Sequence, residues 1–212
     1  HPQAICNLAV LSAQGDHLPQ DLAQAIAAYQ RSAALGLAEA HFVLGCLAQS
    51  GDAGAVDLAA ARQHYQTAAD LGHAGAQCNL GAGVSADPVL AAQWYRRSAE
   101  QGDALARCNW GLSLLQSPDA PQRYAQAFEL LRQSADAGNA EALYTVGVMY
   151  AQGWGVEADA AQAALCFEPA ALKNHADAWF NLGVIYASAS DGAADAVPAG
   201  SREDGHAFAR DI

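Results

Sequence analysis

The residues of this 212-residue chain best suited to chemistry are five cysteines, seven histidines and one lysine, Lys173. Three cysteines recur at one letter of a repeated six-residue phrase. Cys6 lies in AICNLA (4–9), Cys78 in AQCNLG (76–81) and Cys108 in ARCNWG (106–111). The other copies, AHFVLG (40–45), ALYTVG (142–147) and AWFNLG (178–183), carry Phe42, Tyr144 and Phe180 there. A thiol that alternates with aromatic rings is expected to be a small buried hydrophobe. Equivalent positions of successive repeats also lie too far apart for direct bridging. The histidines form neither His-x-x-x-His nor Cys-x-x-Cys with any partner, so no metal site is expected. His73 and His175 hold the same turn position in different repeats and read as surface residues. Gly81-Ala82-Gly83-Val84 lacks the strand and spacing of a phosphate-binding loop and reads as a shortened interhelical connection. No Ser/His/Asp or paired-carboxylate arrangement stands out, so no catalytic residue and no cofactor are assigned.

Composition narrows the class further. The net charge of −12 disfavours nucleic acid and anionic membrane surfaces, both of which need clustered Lys and Arg. It suits a basic or polar protein partner. No apolar run approaches the roughly 18 residues that membrane insertion requires. Ala supplies 53 positions, which favours helix and suits close helix–helix contact. Beginning at His1-Pro2, already inside a repeat, the chain is expected to be a trimmed or processed form. Its compartment stays open between the cytoplasm and the periplasm or exterior.

The elements that would position any site follow from the period. The hexamers end at Ala9, Gly45, Gly81, Gly111, Gly147 and Gly183, spaced by 36, 36, 30, 36 and 36. A second series, Gly36, Gly72, Gly102, Gly138 and Asn174, repeats with 36, 30, 36 and 36. Two markers share one register and one six-residue deletion. Each repeat reads as two helices. Helix A begins at an Ala-x-Ala and carries the hexamer. Helix B starts after Asp21, Asp57, Asp87 or Asp159, acidic N-caps that can bind orphan amides. In the fourth repeat Arg123 takes the cap position, so that helix is expected to start earlier, near Pro121. Gly or Asn174 ends each helix B in the left-handed conformation. Alanines four residues after the cap and three before the turn recur in all five helices B, bringing the helices close.

The pattern A-x-A-x-x-x-L-G, then G-x-G-V (Gly153 to Val156), D-x-x-x-A and W-Y-x-x-S-A-x-x-G (Trp94 to Gly102), resembles the Sel-one-like repeats, relatives of tetratricopeptide repeats. The resemblance covers residues 2–187. It implies an all-α fold, a right-handed superhelical solenoid of stacked helix-turn-helix repeats. The expected repeats span 1–36, 37–72, 73–102, 103–138, 139–174 and, in part, 175–187, followed by an irregular tail over 188–212. The third departs from the family by its six missing residues. Some cysteine-rich bacterial members staple each hairpin with a disulfide, but here only Cys166 lies in a helix B and its own helix A has no partner. Relatives have also been linked to penicillin chemistry. That site needs Ser-x-x-Lys, and Ala170 stands three before the only lysine.

The resemblance implies a non-enzymatic adaptor or scaffold that binds a protein or peptide on the concave helix A face. A row of amides there, Asn7, Asn79, Asn109 and Asn181, offers donors and acceptors to an extended backbone. The alternative is that these amides satisfy neighbouring groups between repeats. Glu39, Glu141 and Asp177 would make the groove negative. A regulator or immunity-type inhibitor that masks a partner is the second functional reading, and an enzyme of unassigned type the third.

Overall fold

The computed structural model describes residues 1–14, 21–83 and 87–190. Among them the chain forms helices and no strands. Helices A are α1 (Pro2–Gln14), α3 (Ala38–Ser50), α5 (Ala74–Gly83), α7 (Ala104–Leu115), α9 (Ala140–Gln152) and α11 (Ala176–Ser190). Helices B are α2 (Leu22–Ala34), α4 (Leu58–Asp70), α6 (Pro88–Glu100), α8 (Ala120–Asp136) and α10 (Ala160–Leu172). The chain divides into two compact halves, His1–Asp103 and Ala104–Ile212. Within each, every helix packs on its neighbours in the chain. Helix α11 runs three residues past 187, to Ser190. Residues 191–212, the bulk of the expected tail, lie outside the described residues.

Local chemistry sets the helix ends. Asp21 accepts from the Gln24 N–H and Asp57 from the Ala60 N–H, both at 2.9 Å. Asp87 and Asp159 each accept from two amides of the first turn. Helix α8 starts at Ala120 with proline in its first turn. Asp119 makes no cap bond there and instead pairs with Arg123 at 2.7 Å. At the other end, Gly36, Gly72, Gly102 and Gly138 have φ of 82°, 91°, 97° and 85°, and Asn174 takes the same role at 67°. A Cβ in that region is strained, which leaves Gly and then Asn as the economical choices.

Packing inside the second to fifth hairpins turns on the hexamer glycine. A Cβ at Gly45 would sit 2.6 Å from the Tyr65 ring, and at Gly81 2.5 Å from Tyr95. At Gly111 it would sit 2.7 Å from Leu131 Cγ, and at Gly147 2.6 Å from Phe167. The bare glycine is therefore the socket for the large side chain of helix B. Buried serines close hairpins as well. Ser32, Ser98 and Ser134 donate to the carbonyls of Pro2, Ala74 and Ala104, the first residues of their helices A, at 2.7, 2.8 and 2.7 Å. The second and fifth repeats place fully buried Ala68 and Ala170 there. Burying Phe167 or Leu131 contributes about 1.5–3 kcal/mol each.

Two repeats depart from the pattern. Helix α5 spans 10 described residues where α3 and α9 span 13. In the sixth repeat no described atom lies within 4 Å of a Cβ built on Gly183. Trp179 and Phe180 of α11 stand 58% and 73% exposed, while Leu182 is buried against α10.

Gly111→Ala and Gly147→Ala should each destabilise the protein by about 1–3 kcal/mol through overpacking. Gly183→Ala should be neutral or stabilising by up to about 1 kcal/mol, since alanine is the better helix former. Urea unfolding midpoints of the three variants check this. A second expectation concerns His41 and His64, whose Nδ1 atoms lie 3.2 Å apart between α3 and α4. Burial, and then His41, hold the His64 pKa below the ordinary value. An unfolded chain therefore takes up a proton below about pH 6.5 that the folded chain refuses. Stability should fall as pH drops from 7 through 6, and His64→Gln should flatten that slope in pH-dependent urea titrations.

Candidate interaction surface

The residues singled out on the helix A faces fall into two groups, one in each half. In the N-terminal half, Asn7 is exposed on α1, its Oδ1 accepting from Gln3 Nε2 at 3.1 Å. Glu39 is exposed at the start of α3. Asn79 is half-buried on α5, hydrogen-bonded with the Tyr65 hydroxyl of α4. That hydroxyl donates to Gln49 Oε1 at 2.6 Å and lies 3.5 Å from Cys46 Sγ. Burial and then the Cys46 contact push the Tyr65 pKa well up, and Asn79 works in the opposite direction.

In the C-terminal half, Asn109 is half-buried on α7. Glu141, Asp177 and Asn181 converge around Tyr144 where α9 and α11 come together. Burial raises the Tyr144 pKa, the charges of Asp177 and Glu141 add to that, and a hydrogen bond with Asn181 opposes it. Asn79 and Asn181 thus each reach back to a tyrosine of the preceding hairpin.

The carboxylates are held by a feature the sequence reading passed over. His73 Nε2 lies 2.8 Å from Glu39 Oε2, and the imidazole stacks on Phe42 with centroids 4.3 Å apart. His175 Nε2 lies 3.3 Å from Glu141 Oε2 and stacks on Tyr144 at 4.1 Å. Both stacks have an interplanar angle of 19°. His73 Nδ1 accepts from the Ala76 N–H at 3.2 Å, so its neutral form carries the proton on Nε2, facing Glu39. It caps α5 at the same time. His175 Nδ1 is buried without a partner among the described residues. The expectation that these histidines are surface residues is corrected. An aromatic hexamer letter offers each ring a flat apolar face, and the side chains remain only 19% and 15% exposed. The signal was present in the sequence: Glu, an aromatic three residues on, and His 31 beyond it occur at 39/42/73 and again at 141/144/175.

This arrangement can hold and orient carboxylates. Among the described residues no group of three His, Cys, Asp or Glu side chains is placed to hold a metal ion. No described helix is long and apolar enough to cross a membrane.

Helical hairpins with a glycine socket, an acidic cap and a left-handed stop, repeated in one register, define an α-solenoid of the kind that serves as a protein-interaction scaffold. The Sel1 repeat model matches residues 2–37, 38–73, 75–103, 104–139 and 140–175, and the chain belongs to the Sel1 repeat family. Among solved structures, a protective antigen of uropathogenic Escherichia coli with an SLR fold is 28% identical with a TM-score of 0.78. The match covers 91% of this chain and 42% of that one, so this chain spans less than half of the antigen's length. A Sel1 repeat protein from Oxalobacter formigenes is 26% identical, TM-score 0.78, over 92% of this chain and 82% of that one. An immunity protein from Pseudomonas aeruginosa shares the fold at 20% identity and a TM-score of 0.53, over 80% and 64%. No curated protein matches the chain in sequence.

Membership sharpens the question of the thiols. None of the five cysteines is in a disulfide, and Cys6, Cys78 and Cys108 are 2%, 3% and 1% exposed. Burial, followed by the Glu39 charge, raises the Cys6 pKa, and burial raises that of Cys166. Thiolates form reluctantly under those conditions. In the native protein at pH 8, Cys6, Cys78 and Cys108 should resist a disulfide-exchange reagent until denaturant is added, with half-buried Cys46 reacting first. Mass spectrometry of the partially labelled chain reads the order.

Proposed function

We propose that the protein is a non-enzymatic adaptor that binds a protein or peptide along its helix A faces. Asn7, Asn79, Asn109 and Asn181 address the ligand backbone, and Glu39, Glu141 and Asp177 supply negative charge. The observation that carries this reading is the repeated carboxylate clamp. At one register in each half, a histidine from the following repeat fixes a helix A glutamate through Nε2 and anchors itself on a ring. A pre-oriented polar surface loses less side-chain entropy on binding. Family membership points the same way, since Sel1 repeats are protein-interaction modules. The chain's charge of −12 favours a basic partner.

A second reading, an inhibitor that masks a basic surface of its target, draws on the same charge and on the shared fold of the Pseudomonas immunity protein. A one-to-one complex that abolishes an activity distinguishes it from an adaptor.

Affinity capture with the intact chain, followed by titration of the retained partner, tests the proposal. Replacing Asn79 and Asn181 with Ala, and Glu39 and Glu141 with Gln, should weaken binding by about tenfold or more. Affinity should also fall as salt rises from 0.05 to about 0.5 M. Arg96→Ala with Arg132→Ala, on helices B, should leave it unchanged. Equal loss in both sets of variants, or none in either, refutes the assignment.

A further inference from the structure

The N-terminal half carries a groove beside the shortened third repeat, and the fifth repeat shows what would fill it. There the loop after helix A folds over the preceding helix B. Trp154 stacks on Tyr124 of α8 with centroids 5.3 Å apart at 18°. Gly155, with φ of 71°, lies so close to the Tyr124 backbone that a Cβ would collide with it. Behind them Phe128 meets Tyr150 edge-on at 5.3 Å. Tyr124 stands three residues before the repeated Ala127, and Phe128 one after. Their counterparts around Ala61 are Leu58 and Arg62 of α4. The third repeat has four residues at the matching place, between Gly83 of α5 and Pro88 of α6, where the fifth has seven. Residues 84–86 between them lie outside the described residues.

Leu58 is accordingly 65% exposed, where Tyr124 is half-buried. Beside it opens a groove of about 780 Å³, bounded by the end of α3, the first two turns of α4 and the end of α5. Arg62 is the one charged side chain among its described lining residues, and it makes no ion pair among the described residues. An unpaired guanidinium in a chain of charge −12 selects a ligand with a carboxylate, and its flat face also accepts an aromatic ring. Gln49 spends its carbonyl on Tyr65 and keeps its two N–H donors for a ligand backbone.

We propose that this groove binds a short loop of a partner protein, carrying an aromatic side chain next to glycine and a carboxylate two or three residues on. The aromatic ring covers Leu58 in the place that Trp154 takes over Tyr124. Glycine allows the backbone to touch α4, and the carboxylate meets Arg62. The groove adjoins the helix A surface proposed above, sharing Asn79 with it, while the variants that test it, at Ala59 and Arg62 of α4, are not among the residues assigned to that surface.

The probe is the fluorescently labelled peptide Gly-Trp-Gly-Val-Glu-Ala, the sequence of residues 153–158, titrated with the intact chain by anisotropy. Saturable binding is expected. It should weaken by about tenfold or more when alanine replaces the peptide's tryptophan, and similarly with Arg62→Glu or Ala59→Trp in the protein. Ala59→Trp fills the groove from an exposed position, so a folded variant is expected, and melting curves verify it. No saturable binding by the native chain overturns the proposal. So does binding within twofold of native for both protein variants or for the alanine peptide. A dimer seen by sedimentation without peptide, and abolished by Ala59→Trp, would make the occupant a second copy and equally overturn it.

Discussion

The contact between a hexamer glycine and the large side chain of its own helix B sets the distance on which the remaining interactions depend. With Gly147 against Phe167 and Gly111 against Leu131, the two helices approach until a single carbon would not fit between them. At that separation a serine hydroxyl of helix B reaches the first carbonyl of helix A, at 2.8 Å for Ser98 and 2.7 Å for Ser134. The alanines flanking it, Ala127 and Ala163 among them, become fully buried without needing a larger cavity. A wider hairpin would leave those hydroxyls short of their acceptors and the small side chains facing voids, each void forfeiting contact energy.

The polar surface inherits its order from the same spacing. His73 reaches Glu39 and stacks on Phe42 because the hairpins place the start of α5 against α3. The same relation brings His175 to Glu141 and Tyr144 in the other half. In the third repeat the departure is local. The socket at Gly81 still receives Tyr95, so the hairpin closes. Polar side chains of the second repeat stand where the fourth places apolar ones: Gln49 matches Leu115, and Arg62 matches Phe128. The exposed surface has been chemically adjusted to water or to a ligand.

How much of this was legible depended on the range of each interaction. Caps and stops were readable because Asp57 or Asn174 acts on amides and angles within its own few residues. The sockets were readable as a recurring Gly paired with a recurring large residue. The early start of α8 followed from Arg123 at a cap position, and Asp119 indeed holds that arginine instead of capping. The histidine clamps were missed because their members lie 34 residues apart and only the stacking of repeats joins them. Asn79 and Asn181 illustrate the same limit. Their shared letter placed them on one face of their helices, while their bonds to Tyr65 and Tyr144 depend on which side chain of the preceding hairpin comes within reach. The groove beside Leu58 required knowing where a loop rests, which a deletion alone does not tell.

Because helices pack on their chain neighbours, the long-range bonds of each half span short stretches: 30 residues from Ser134 to Ala104, 34 from His73 to Glu39. Low contact order of this kind goes with fast folding, since little loop entropy is lost before native contacts form. On a ribosome adding roughly 5–20 residues per second, one repeat takes roughly 2–7 s to appear. Helix formation and hairpin closure are complete within about a millisecond. Each glycine socket can therefore be filled before the next repeat has left the exit tunnel. Nascent helices A spend little time with their apolar faces bare, and among the described residues no strand waits for a distant partner.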